Sequence, residues 1–217
     1  MNKKIALFIF TSVALFDMLG IIFEIEVLRL VFKPLILLSL MALYKISTAR
    51  ETNNMYLLAL VFSFLGDVFL LFDGTLFFML GLGSFLIAHL FFIKVVVSWW
   101  SEFKLQKILL TAVPFMLLVA GLIVFLKDHL GEMLIPVIVY AMVIGTFGTV
   151  ATIVYKQRKT RYAATVMLGA FVFMSSDTIL SINLFYKPMM VLNILVMVTY
   201  VLAQYLIYRA VVMKEES

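Results

Sequence analysis

The chain has 217 residues, 65% hydrophobic and 13% charged, with a mean hydropathy of +1.16 and a formal charge of +5. Soluble proteins average roughly half apolar and a quarter charged residues, so this composition excludes a soluble globular domain and identifies an integral membrane protein. The absence of cysteine excludes a disulfide framework, a thiol nucleophile and a cysteine metal site, and basic residues scattered over the ends of apolar runs set aside a nucleic-acid stripe.

Crossing hydrocarbon takes roughly 20 apolar residues in a helix, and about 17 still serve. Met1-Asn2-Lys3-Lys4 ahead of an apolar run imitates a signal peptide. Asp17 interrupts that run and no small-x-small site precedes Glu24, so residues 5–23 read as a first helix. Further candidates cover residues 28–46, 56–72, 76–98, 108–126, 134–155, 162–184 and 189–211. These runs lack the period-two alternation of barrel strands and exceed their length. The expected fold is an all-α bundle of eight transmembrane helices, with residues 1–217 as a single helical transmembrane domain.

On that plan, one side collects 13 of the 17 Lys and Arg: Lys3, Lys4, Lys45, Arg50, Lys94, Lys104, Lys107, Lys156, Arg158, Lys159, Arg161, Arg209 and Lys214. Only Arg29, Lys33, Lys127 and Lys187 lie opposite. The positive-inside rule then puts both termini in the cytoplasm. The expected location is a membrane crossed many times, the plasma membrane if the organism is bacterial, with membrane lipid as the constant neighbour.

Asp67 and Asp177 lie deep in apolar runs, in similar settings: Phe62-Ser-Phe-Leu-Gly-Asp67 and Phe171-Val-Phe-Met-Ser-Ser-Asp177. Carrying a carboxyl group to the bilayer centre costs about 2.5 to 3.5 kcal/mol on the lenient insertion scale, which marks an intramembrane acid as a functional group. Each falls in the third helix of a four-helix half, as a parallel repeat would place it. Depth along the helices puts Lys33 near the outer end and His89 and Tyr200 near the middle of the same slab. Ser63, four residues before Asp67, shares its face; Ser181, four after Asp177, stands in the same relation. Gly81, Phe85 and His89 form one row on the fourth helix, and Pro34 suits the first turns of the second. Two histidines cannot build a three-histidine zinc site, and neither a Gly-x-Ser-x-Gly elbow, a phosphate-binding loop nor a His-Glu-x-x-His helix is present. No metal or cofactor is expected.

The series Lys33-Pro34-Leu35, Phe62-Ser63-x-x-Gly66-Asp67, Gly81-x-x-x-Phe85-x-x-x-His89 and Gly169-Ala170-x-x-Phe173-x-x-Ser176-Asp177 resembles the YhhN family of membrane lysoplasmalogenases in order and spacing. Phe92 departs from that pattern, which carries a tyrosine after the histidine motif. The resemblance implies an ether hydrolase that cleaves the vinyl-ether bond of a lysophospholipid, releasing a fatty aldehyde and a glycerophospho-ethanolamine or glycerophospho-choline. Its catalytic residues would be Asp67 and Asp177, dividing the acid and base roles in an order the sequence leaves open. Lys33 would meet phosphate, while Ser63, His89, Ser176 and Tyr200 bind substrate or orient water. Two rivals stay open on the residues alone: a proton-coupled carrier of lipid or small molecules, since intramembrane Asp, His and Lys also form proton relays, and a non-catalytic membrane protein whose acid pair fixes helix packing.

Overall fold

The computed structural model describes residues 2–48, 52–102 and 104–217. Among these residues the chain forms α1 (Lys3–Ile22), α2 (Glu26–Ser47), α3 (Asn54–Phe69), α4 (Thr75–Val97), α5 (Leu105–Leu130), α6 (Leu134–Arg158), α7 (Arg161–Phe185) and α8 (Met190–Glu215), with a 3₁₀ turn at Gly131–Met133 and no strand. Side-chain caps fix several starts. Asn53 Oδ1 accepts from the amides of Met55 and Tyr56, and Thr160 Oγ1 from that of Ala163, satisfying donors that a helix start leaves unpaired.

Six segments are long and apolar enough to cross a membrane, which makes this a multi-pass integral membrane protein. One of them, Leu105–Arg158, is a continuous helical stretch of 54 residues by local geometry. It nevertheless folds back on itself. Lys156 near the end of α6 donates to Thr111 near the start of α5 at 3.2 Å, and a Cβ placed on Gly148 would lie 2.5 Å from the Phe115 ring. Gly131, with φ +49°, makes the reversal. The segment expected at residues 56–72 forms a helix of only 16 residues. Its regular hydrogen bonding gives way after Phe69 to turns at Leu71 and Phe72.

Pro34 does not sit in the first turns of α2. The helix starts at Glu26, two residues before the expected run, so the proline lies two turns inside it and leaves the Leu30 carbonyl without its usual partner. Arg50, counted above among the cytoplasmic cations, lies outside the described residues.

The helices pack as neighbouring pairs, α1 with α2, α3 with α4, α5 with α6 and α7 with α8, and α8 closes against α1 and α2. One end of the bundle gathers the C-termini of α2, α4, α6 and α8. Tyr44 donates to Glu215 at 2.5 Å, Ser47 pairs with Tyr208, and Arg158 Nε donates to the Trp99 carbonyl. The centre is aromatic: Tyr56, Phe92, Phe147, Phe173 and Tyr208 are fully buried. The outside is apolar as well, with Phe8 at 71% exposure, Leu76 at 68% and Ile135 at 72%, a surface stable only against hydrocarbon.

Replacing Gly148 by alanine forces its new methyl group into Phe115, whereas Gly121 has open space around it. Thermal unfolding of the purified protein in detergent is expected to show a loss of about 1–3 kcal/mol for Gly148→Ala, the usual range for overpacking, and no loss for Gly121→Ala. Equal stability of the two variants would contradict the α5–α6 packing.

Candidate functional site

Asp67 approaches the C-terminal end of α3 on its buried face, 3% exposed. Close packing of α3 on α4 makes room for it: a Cβ on Gly66 would meet the Phe85 ring at 2.6 Å, and one on Gly81 would meet Leu70 at 2.8 Å. The hydroxyl of Tyr200, from α8, donates to Asp67 Oδ2 at 2.7 Å. Lys33 Nζ, from α2, lies 4.0 Å from Asp67 Oδ1, and both side chains are nearly enclosed. Gln204, one turn after Tyr200, donates to the tyrosine oxygen at 3.5 Å. Two residues from two other helices thus meet the Asp67 carboxyl group, and Gln204 backs one of them.

Asp177 has a different environment. The hydroxyl of Tyr140, from α6, donates to its Oδ2 at 2.5 Å. Half-buried, Asp177 borders two small cavities of about 40 and 30 Å³ that share Val137, Tyr140, Asp177 and Ser181 as lining. A cavity needs roughly 10–15 Å³ and polar partners to hold a water, so each has room for one beside the carboxyl group. The first cavity also shares Leu118, Leu122, Met174 and Thr178 with a larger apolar groove between α5 and α7. No cation lies within ion-pair distance of Asp177 among the described residues.

His89 stands between these two centres. Its Nδ1 bonds the Phe85 carbonyl at 2.8 Å; a carbonyl only accepts, so Nδ1 carries a proton, and buried Nε2 has no partner. Rings of Phe92, Tyr140, Phe147 and Phe173 surround the imidazole at 4.5 to 6.0 Å between centroids. Phe173 stacks edge-on against Tyr200 at 5.6 Å. Tyr140, His89, Phe173 and Tyr200 therefore form an aromatic bridge from one carboxyl group to the other. Among the described residues no hydrogen bond joins Asp67 directly to Asp177: the acids, expected as partners in one site facing one cavity, instead occupy two centres, each with its own phenol donor.

The remaining expected residues divide. Ser63 is fully buried one turn before Asp67, its hydroxyl without a partner. Ser176 faces the other way and donates to the Val196 carbonyl at 3.0 Å, tying α7 to α8. Lys33 sits deeper than the outer surface, against Asp67. Sequence reasoning missed Tyr140 and Gln204. Gln204 was findable as the polar residue one turn from Tyr200, and Tyr140 occupies in the second helix of the second half the place that Lys33 occupies in the first. Asp17, which also escaped selection, is fully enclosed on α1 with both carboxyl oxygens unpartnered, within electrostatic reach of Lys33 and Arg29.

The model of the YhhN family matches residues 28–211, nearly the whole chain. No curated protein and no solved structure matches it.

A hydrogen bond between Tyr200 and Asp67 in a dry interior makes their substitutions non-additive. A double-mutant cycle of Tyr200→Phe and Asp67→Asn, read by unfolding in detergent, is expected to give a coupling of about 0.5–3 kcal/mol. Additive effects would show that the contact contributes nothing.

Proposed function

The chain belongs to the YhhN family, and from that premise we propose that it is a membrane hydrolase of the vinyl-ether bond of lysoplasmalogens, with Asp177 as general acid and Asp67 as the charged partner. One observation carries the reading. Two carboxyl groups lie within a membrane-spanning bundle, each held by a tyrosine hydroxyl, and among the described residues only Asp67 has a cation beside it.

The chemistry asks for that asymmetry. A vinyl ether, R′–O–CH=CH–R, hydrolyses when a proton adds to its outer alkene carbon, leaving an oxocarbenium ion at the carbon bonded to oxygen. Water adds there and loses a proton, giving a hemiacetal that collapses to the alcohol R′–OH and the aldehyde R–CH₂–CHO. One water is consumed, and the proton returns to the enzyme. Proton donation needs a neutral carboxyl group, which low-dielectric surroundings without a cation favour, as at Asp177. Stabilising the cation and deprotonating water need a carboxylate, and Lys33 beside Asp67 supplies the counter-charge that keeps one. His89 Nε2, unpartnered between the two, accepts from the attacking water. Tyr140 and Tyr200 fix the carboxyl orientations, and Ser63 offers its free hydroxyl near Asp67. The alkenyl chain lies in the apolar space that opens from Asp177 towards the α5–α7 groove.

All eight helices cross the bilayer in this reading, with both termini in the cytoplasm and the plasma membrane as the site if the organism is bacterial. Supporting it, Lys45, Lys156, Arg158 and Lys214 lie in the last turns of α2, α6 and α8, whose C-termini share one end. Sixteen residues of α3 span roughly 24 Å at 1.5 Å per residue. The bilayer meets such a shortfall by local thinning at modest cost.

Aldehyde release from a lysoplasmalogen by the purified protein tests the proposal. Asp67→Asn and Asp177→Asn are each expected to lower turnover by about 10²–10⁴-fold, the typical contribution of general acid–base catalysis, while the chain still inserts and purifies. An active double variant would end the assignment. Uptake into proteoliposomes without product would favour a carrier instead.

A further inference from the structure

Outside the two carboxyl centres, cavities of mixed charge include one lined by Glu102, Lys104, Lys107 and Lys156 and a larger one at the other end of the bundle. About 430 Å³ in volume, it lies between the α1–α2 and α7–α8 turns, at the end of the bundle opposite the clustered C-termini. Its polar lining is Glu24, Glu26, Arg29 and Asn193. Arg29 is half-buried, and its Nε is fully enclosed without a hydrogen-bond partner. Two helices also begin here, α2 and α8, and neither start has a side-chain cap. Each such terminus carries roughly half a positive charge, so the inner wall is positive. Both glutamates are exposed at the rim, and Glu24 is held there by a left-handed backbone at φ +54°.

We infer that this cavity binds the zwitterionic phosphate-and-amine headgroup of the lipid, phosphate inward on Arg29 and the helix ends, ammonium outward on Glu24 and Glu26. A bare phosphate would meet two repelling carboxylates at the rim; a phosphodiester carrying an amine satisfies both walls. The volume falls within the range of small-molecule sites, roughly 300–1,000 Å³. Position supports the same ligand. Arg29 precedes Lys33 by one turn of α2, a rise of roughly 6 Å, and Lys33 leads to Asp67. In a lysoplasmalogen three glycerol carbons separate the phosphate ester from the ether oxygen, a reach comparable with that turn. Gly20 lets the start of α2 approach α1, since a Cβ there would lie 2.9 Å from Arg29 Cγ. Naming the ligand as the substrate's own headgroup rests on the hydrolase reading, but the site itself does not.

Calorimetric titration of the full chain in lipid nanodiscs tests it with three soluble probes: glycerophosphoethanolamine, glycerol 3-phosphate and inorganic phosphate. Glycerophosphoethanolamine is expected to bind tightest. Arg29→Ala is expected to weaken it roughly tenfold or more, the effect of losing a charge-assisted hydrogen bond. The double variant Glu24→Gln, Glu26→Gln alters exposed side chains, which keeps folding out of the result. It is expected to lose the preference for the amine-bearing probe and to hold glycerol 3-phosphate at least as well as before. Binding unaffected by Arg29→Ala, or inorganic phosphate binding as tightly as the diester, would overturn the inference. Headgroup binding that persists in a protein releasing no aldehyde would sink the hydrolase reading and leave this site standing.

Discussion

A carboxyl group enclosed in a bilayer gains from a partner within the protein, and here two phenols supply one for Asp67 and Asp177, while Asp17 has no hydrogen bond. Tyr200 reaches from α8 to Asp67 on α3, and Tyr140 from α6 to Asp177 on α7. Leaving a carboxyl group unpaired in such surroundings costs several kcal/mol, so these contacts fix how α3, α6, α7 and α8 stand against one another. The aromatic core follows from the same constraint. Phe173 packs on both His89 and Tyr200, and His89 on Tyr140, so a continuous run of rings joins the two phenols.

Similarity of the two acid motifs hides an inequality of surroundings. The second helix of the first half offers Asp67 a lysine; the second helix of the other half offers Asp177 a phenol. Two like groups thus sit in similar sequence settings with different neighbours: Lys33 and Tyr200 at Asp67, Tyr140 at Asp177. Small cavities adjoin Asp177, whereas Tyr200 and Lys33 stand directly against Asp67. On the proposed reading, the acid and base roles follow from this difference of neighbours and not from the acids themselves.

Charge made the centre legible. An aspartate in an apolar run stands out against its neighbours, and alternation of helix direction sufficed to bring Lys33, His89 and Tyr200 to its depth. Tyr140 stayed hidden because a tyrosine in a membrane helix reads as packing material, and only its hydroxyl partner gives it a role. Ser176 misled in the opposite way: adjacency to Asp177 in sequence turns it by about 100° around a helix, so it faces α8. Asp17 and Arg29 were obscured by position near a helix end, where charge is ordinary. The helical plan was readable from apolar run lengths, yet the start of α2 at Glu26 and the early end of α3 at Phe69 were not, since apolar residues continue through the turns at Leu71 and Phe72 and polar Glu26 already belongs to a helix.

The central claim is that a carboxylic acid inside the bilayer donates its proton to the outer carbon of an electron-rich double bond. Mass spectrometry of the aldehyde trapped as it forms, from purified protein and a lysoplasmalogen in heavy water, reads that event directly. The account expects one deuterium on the carbon next to the carbonyl. Aldehyde released without that deuterium, or no aldehyde at all, would contradict it.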